Sequence, residues 1–315
     1  MPILVAMGRA APPNEVNIMR VFVTGASGFI GSAIVPELIN VGHQVLGLAR
    51  SDAAAQSLTA AGAQVLRGSL EDVESLRSGA AQTDGVIHTA FIHDFSKFQA
   101  NCEIDRRAIE AMAAALAGSN RPMIISSGVA ILRPGQISTE DQAVDPNSPI
   151  PRVLSEVIAD TLAARGLHIS VVRLAPTVHG DGDHGFVPML SNLAREKSVS
   201  AYVGDGNNRW PAVHRLDAAR LYRLALEKNA IGARYHGAAE EGIPFREIAT
   251  VIGRRLNIPV VSQTPEEARN HFGWFAHFAA IDAPASSRKT REVLGWAPRQ
   301  PELIADLDRP AYFRK

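Results

Sequence analysis

The sequence predicts an α/β fold built on a doubly wound parallel sheet, and two observations carry that expectation. A short β-branched and aromatic run, Arg20–Thr24, ends in a glycine-rich turn and passes straight into a helical pattern at Ile30, Ile34, Leu38 and Ile39. Strand-like and helical segments then alternate through the first half of the chain, which implies right-handed crossovers and a sheet covered on both faces, a Rossmann-type arrangement.

The turn Thr24-Gly25-Ala26-Ser27-Gly28-Phe29-Ile30-Gly31 has the spacing G-x-x-G-x-x-G. Gly25 can take a backbone conformation closed to side chains, Gly28 leaves room for a pyrophosphate against the main chain, and Gly31 lets the helix pack on its strand. Free amides at the helix start then face the phosphates, so a dinucleotide is the expected ligand. Pro36 removes one N–H inside this helix and is expected to kink it without ending it.

The second strand, Gln44–Ala49, ends at Arg50-Ser51-Asp52. An enzyme that prefers NAD usually places a carboxylate on the ribose 2′-hydroxyl at this point. Here Arg50 can fork onto a 2′-phosphate and Ser51 can add a hydroxyl, so NADP(H) is expected over NAD(H). The alternative is that Ser51 or Asp52 caps the next helix and Arg50 is merely solvated.

Further strands are expected at Gln64–Arg67, Gly85–Thr89, Met123–Ser126 and His168–Arg173, between helices at Glu71–Ser78, Phe98–Leu116 and Val153–Arg165. After His179-Gly180-Asp181-Gly182-Asp183 the alternation weakens, and glycine, proline and aromatic residues gather. Val213–Glu227 reads as a strand end and helix that rejoin the sheet, and Pro244–Leu256 and Pro265–Phe272 as helices of a smaller lobe. The expected organisation is a loose extension over 1–18, a nucleotide-binding domain over 19–178 to which 212–237 returns, and a C-terminal substrate lobe made of 179–211 and 238–315.

A chain of 315 residues can bury a large core, and 32 basic against 32 acidic residues argue against nucleic acid or an anionic membrane as partner. A single cysteine, Cys102, excludes an intramolecular disulfide or a cysteine-based metal site; in its Ala-rich helical stretch it reads as packing. No apolar run approaches a membrane span, and Met1–Ile18 lacks the basic start and apolar core of a signal peptide. A soluble, cytoplasmic protein acting on a small molecule is expected.

Taken together, these residues resemble the extended branch of the short-chain dehydrogenase/reductase superfamily, over about Met19 to Leu307. The matches are TGASGFIG at Thr24–Gly31, VIHTA at Val86–Ala90, IISS at Ile124–Ser127, VVRLAPTVHG at Val171–Gly180, PAVHRLDAA at Pro211–Ala219 and TREVLGW at Thr290–Trp296. The resemblance implies a nucleotide-binding domain for NAD(P) and a lobe that closes over substrate. Carried over by position, Ser69 and Leu70 would flank the adenine, and Thr89 and Ala90 would line the nicotinamide side. The segment Ala175-Pro176-Thr177-Val178 would pass the nicotinamide amide, and Ser126 or Ser127 would be the catalytic serine.

The same resemblance implies a Tyr-x-x-x-Lys pair ahead of an acidic residue similar to Glu156. Counting back places Ser148 at the tyrosine and Arg152 at the lysine, so the chain resembles the atypical members that lack this pair. A serine hydroxyl is too short and too weak an acid to replace the phenol. Arg152 can hold a ribose hydroxyl or a phosphate but will not release a proton near neutral pH.

The proton donor is therefore sought among histidines near the expected cleft: His93, His179 and His184 in HGDGDHG, and His214, with Tyr202 as a further option. His214 also matches a position that serves strand-to-helix structure. The HGDGDH run fits no standard metal site; it reads as a loop over the substrate, and no metal is expected. Phe91, Phe95, Phe186, Tyr202 and Trp210, with His93, are candidates for an apolar pocket above Ser127, core burial being the alternative.

The leading functional expectation is an NADP(H)-dependent oxidoreductase for a small, mostly apolar carbonyl or related unsaturated compound. A non-catalytic NADP(H)-binding sensor is the alternative, and a sugar-nucleotide epimerase or dehydratase the third. Ala-rich faces on Glu103–Leu116 and Val153–Arg165 suggest a homodimer, or simple burial against the sheet.

Overall fold

The computed structural model describes residues 17–313. The expected N-terminal extension lies outside the described residues except for its last two positions. Seven strands form one parallel sheet: β1 (Arg20–Thr24), β2 (Gln44–Ala49), β3 (Gln64–Arg67), β4 (Gly85–His88), β5 (Met123–Gly128), β6 (Ile169–Leu174) and, from far along the chain, β10 (Arg234–Gly237). Their order is β3-β2-β1-β4-β5-β6-β10, so the chain reverses direction across the sheet between β1 and β4. The carboxyl ends of these two strands, where Thr24 pairs with His88 in register, are the point of reversal at which open α/β sheets bind their ligands.

Burial on both faces explains why these strands lack polar alternation. Val21 and Val23 of β1 join the core on one face, with α1 (Gly31–Asn40), α2 (Asp52–Ala60) and α7 (Arg215–Lys228). Phe22 points the other way, into a core closed by α3 (Val73–Ala81), α4 (Phe98–Leu116) and α5 (Leu154–Ala164). The same period of two places Ile124 on the first face and Met123 and Ile125 on the second, so Ser126 and Ser127 diverge at the end of β5. Pro36 sits inside α1 without ending it, and Cys102 is fully buried.

A third core lies outside the main sheet. It packs α6 (Phe186–Lys197) and α8 (Phe245–Leu256) around two small sheets. One is β7 (Thr177–His179), β9 (Arg209–His214) and β11 (Glu240–Pro244); the other pairs β8 (Ser200–Val203) with β12 (Val260–Gln263). Val213 and His214 thus belong to the smaller sheet, while α7 and β10 return to the large one. Among the described residues no helix is long and apolar enough to cross a membrane.

Candidate active site

The glycine turn is shaped by backbone crowding. Gly25 has φ +66°, and a Cβ there would stand 2.7 Å from the Ala90 amide nitrogen, because the end of β4 packs directly on the turn. A Cβ on Gly31 would stand 2.0 Å from the Gly25 carbonyl oxygen, so α1 can start here only on glycine. The Gly28 amide donates to the same carbonyl at 2.9 Å, and Ser27 and Gly28 lie exposed on the rim. No side chain caps α1, and its first turn holds no acid. Amides near Phe29 and Ile30 are thereby left for an anion.

Beside this turn, the Thr89 hydroxyl donates to the Thr24 carbonyl at 2.8 Å, tying β4 to β1. Leu70 packs against the sheet, and Ser69 accepts a hydrogen bond from the Glu71 amide. At the end of β2, Arg50 is exposed and Ser51 caps α2, accepting from the Ala54 amide at 3.2 Å. Pro176 is half-buried, and Val178 packs against the first core.

The two serines have different duties. Ser126 Oγ donates to the His88 carbonyl at 2.8 Å and lies 2.6 Å from the Tyr222 hydroxyl of α7, so it is spent on structure. Ser127 is 7% exposed and its hydroxyl has no partner among the described residues. A buried hydroxyl at a strand end, left unpaired, is costly unless something else binds there.

Arg152 lies in the turn Pro151–Val153 that leads into α5. It donates to the Ser126 carbonyl at 2.8 Å and to Asp105 Oδ2 at 2.8 Å, and its guanidinium lies 4.4 Å from the centre of the Phe91 ring. Asp105, buried on α4, also takes the Ser155 hydroxyl at 2.5 Å and faces His88 at 3.1 Å. His88 in turn reaches Thr24 Oγ1 at 2.7 Å. Burial pushes the Asp105 carboxyl up, but Arg152, His88 and Ser155 outweigh it and hold it at about 2. This chain from the nucleotide turn to Arg152 was not anticipated; the VIHTA motif contains His88, but nothing in sequence spacing links it to Asp105. Ser148 closes its own turn, its Oγ accepting from the Ile150 amide at 3.2 Å.

The histidines separate. His179 is buried, its Nδ1 2.8 Å from Asp306, and its Nε2 has no partner among the described residues. His214 caps α7 by accepting from the Leu216 amide, and its ring lies edge-on to His179. His184 is exposed, packed edge-on against Phe29 at 5.6 Å. His93 is open to the cleft, yet crowding by its walls, then the charges of Arg152 and His184, push its imidazole below the usual value. Because His179 turns to Asp306 and His184 to Phe29, HGDGDH does not converge; no group of three metal-ligating side chains occurs among the described residues.

That loop is pinned from outside: Tyr312 takes the Gly180 amide at 2.9 Å, and Arg309 reaches Asp181 and Asp306. Burial raises the Asp183 carboxyl to about 6, against the hydrogen bond it accepts from the Gly185 amide. A carboxyl raised in the folded state favours folding below its unfolded pKa and loses that contribution as pH rises through about 6. Asp183→Asn keeps the Gly185 acceptor and is expected to stabilise the protein by roughly 1–3 kcal/mol at pH 7.5, the gain vanishing near pH 4. Urea unfolding at both pH values measures it.

Aromatic side chains close the cleft. Phe91 packs edge-on with His93 at 5.2 Å and with Phe98 at 6.1 Å. Phe95 stacks on Trp274 at 4.9 Å and touches Phe186 and Phe278, joining the loop after β4 to the smaller lobe. Trp274 and Phe278 were not anticipated, because only the fold brings 274–278 to 91–98. Trp210 and Tyr202 are corrections. Trp210 is fully buried, its indole donating to the Phe278 carbonyl, and Tyr202 packs in the third core beside Gly206.

The residues present fit a nicotinamide dinucleotide: the turn leaves no room for a Cβ at Gly25 and Gly31, the start of α1 is uncapped, and the Ser127 hydroxyl is buried and orphaned. The sequence pattern of the NAD dependent epimerase/dehydratase family matches residues 21–236. The chain is 54% identical to the uncharacterised protein C2A9.02 of Schizosaccharomyces pombe, over 94% of this chain and 100% of that one. It is 29% identical to the 2-alkyl-3-oxoalkanoate reductase of Stenotrophomonas maltophilia, over 78% of each. Among solved structures it shares its fold with DesIV, a dTDP-glucose 4,6-dehydratase from Streptomyces venezuelae with NAD and TYD bound. The TM-score is 0.74 at 21% identity, covering 94% of this chain and 97% of that one.

Proposed function

The chain belongs to the NAD-dependent epimerase/dehydratase family, and within it we propose an NADP(H)-dependent reductase of a small, mostly apolar carbonyl compound with a proton donor other than tyrosine. The observation that carries this reading is the buried, unpartnered Ser127 hydroxyl at the end of β5, with Arg152 bound to the adjacent Ser126 carbonyl and lying over the Phe91 ring. When bound, the nicotinamide supplies hydride to the carbonyl carbon. Ser127 donates a hydrogen bond to the carbonyl oxygen and orients it. Arg152, held by Asp105, adds positive charge where negative charge develops on that oxygen, but keeps its own protons.

Protonation of that oxygen falls to His93, the histidine that shares Phe91 and Arg152 with the site; His184 is its competitor. Phe91, Phe95 and Phe186 exclude water and favour an apolar substrate. A relative named for 2-alkyl-3-oxoalkanoate reduction supports carbonyl reduction, and others at 23% and 27% identity are named UDP-glucose 4-epimerases, so the choice between reduction and sugar-nucleotide chemistry rests on the site. The latter leans on the Tyr and Lys that this chain replaces with Ser148 and Arg152.

The test is NADPH oxidation with a panel of aldehydes, ketones and 3-oxo acids. Ser127→Ala is expected to lower kcat about 100-fold with nucleotide affinity intact, whereas Ser126→Ala acts mainly on stability. Since His93 is pushed below the usual imidazole value, kcat/KM for reduction is expected to rise as pH falls through a pKa under 6.5, and His93→Gln to flatten that rise. A profile unchanged in His93→Gln but flat in His184→Gln moves the role to His184. Tight NADPH binding without turnover on any compound favours the sensor reading instead.

A further inference from the structure

The corner where β2 and β3 end carries charges that the glycine turn does not explain. Ala49 and Arg67 are register partners, so Arg67 leaves β3 beside the point where Arg50 leaves β2. Arg50 is exposed. Ser51 accepts a hydrogen bond from the Ala54 amide, which leaves its hydroxyl hydrogen free to donate. The acid at this corner, Asp52, is paired with Arg67, and the two side chains are 89% and 54% exposed. Pairs this exposed contribute little to folding, so exchanging one partner for a ligand costs the fold almost nothing.

We propose that Arg67 is the second guanidinium of a 2′-phosphate site. It leaves Asp52 when NADP(H) binds and clamps the phosphate opposite Arg50, while Asp52 weakens binding by competing for it. The inference rests on the NADP(H) reading given above. A phosphate monoester carries up to two charges and three acceptor oxygens, so it draws a forked guanidinium more strongly than one carboxylate does. A 2′-hydroxyl offers no charge, and Arg67 then stays on Asp52. The pair therefore acts as a selector: neutral towards NAD(H), opened by NADP(H).

The experiment is titration of the full chain with NADPH and NADH by fluorescence, and with 2′,5′-ADP and 5′-AMP by calorimetry, in the wild type and three variants at exposed positions. Arg67→Ala is expected to weaken NADPH and 2′,5′-ADP about tenfold and leave NADH and 5′-AMP within about twofold. Arg67→Lys is expected to fall between, since it keeps the charge and loses the fork. Asp52→Asn is expected to tighten NADPH and 2′,5′-ADP severalfold with NADH unchanged. Wild-type preference for NADPH with Arg67→Ala acting equally on both dinucleotides, or on neither, overturns the role of Arg67 and leaves the NADP(H) reading standing. A wild type that binds NADH as tightly as NADPH overturns that reading, and this site with it.

Discussion

Gly31→Ala is expected to abolish dinucleotide binding and to destabilise the fold. The new methyl would meet the Gly25 carbonyl oxygen at 2.0 Å and the Ala26 Cα at 2.8 Å, both backbone atoms without a rotamer to escape through. Either α1 lifts from β1 or the turn opens, and the Gly28-to-Gly25 hydrogen bond at 2.9 Å is lost with it. Overpacking against backbone predicts a cost of about 3 kcal/mol or more, read from urea unfolding. NADPH affinity is expected to drop by at least roughly 100-fold, since the amides at the start of α1 lose their arrangement. Gly28→Ala is the control: its Cβ meets only the Gly25 oxygen, at 3.1 Å. It is expected to fold nearly normally and still bind the dinucleotide poorly. Binding within about threefold of wild type in Gly31→Ala would falsify the placement of the pyrophosphate on this turn.

Glu156→Ala is expected to be the most damaging single change outside the turn. Glu156 and Arg173 are both fully buried and meet in a fork, Nε to Oε1 at 2.9 Å and Nη2 to Oε2 at 2.6 Å. Arg234 approaches the same carboxylate at 3.6 Å. His236 lies 3.4 Å from Arg173 Nη1, and burial followed by that charge pushes its imidazole down to about 4. A neutral ring with Nδ1 donating to the Ser286 carbonyl at 2.8 Å leaves Nε2 to accept from Arg173. Removing Glu156 strands a buried guanidinium, at a cost of about 3–5 kcal/mol in urea unfolding. The double change Glu156→Leu with Arg173→Met is expected to recover most of it, because a dry apolar pair needs no charge compensation. If Glu156→Ala loses less than about 1 kcal/mol, the pair is not the clamp that the geometry describes.

The damage would reach the site. Arg173 is the register partner of Ser127 across β5 and β6, and Glu156 sits on the helix that follows Arg152. One ion pair therefore ties β6, the neighbour of the strand that carries the serine, to the helix that follows Arg152. In the sequence Glu156 served only as a marker from which to count back to Ser148 and Arg152; its partner, 17 residues on, could not be inferred from spacing.

The legible parts of the site are those written in backbone. Glycines that must be glycines and apolar strands covered on both faces are local properties, and they place the glycine turn and the order of the elements correctly. Side-chain assignments depend on partners far away in the chain. Of two adjacent serines, pleat alternation turns one to Tyr222 and leaves the other unpaired. Of three aromatic candidates beyond the first domain, Phe186 faces the cleft aromatics, while Trp210 and Tyr202 go to the third core. His179 and His184 lie in one short loop, yet Asp306, from the end of the chain, buries the first and leaves the second at the rim.

By itself the sequence determined the parallel sheet and the glycine turn at the end of its first strand, because strand burial and glycine conformation act within a few neighbouring residues. Only the tertiary structure decided which hydroxyl is free, which histidine can reach solvent, and that Asp105 and His88 hold Arg152 in place. Those outcomes turn on distances between side chains separated by up to 127 residues, as between His179 and Asp306, and are set when the packed cores force distant polar groups to find partners.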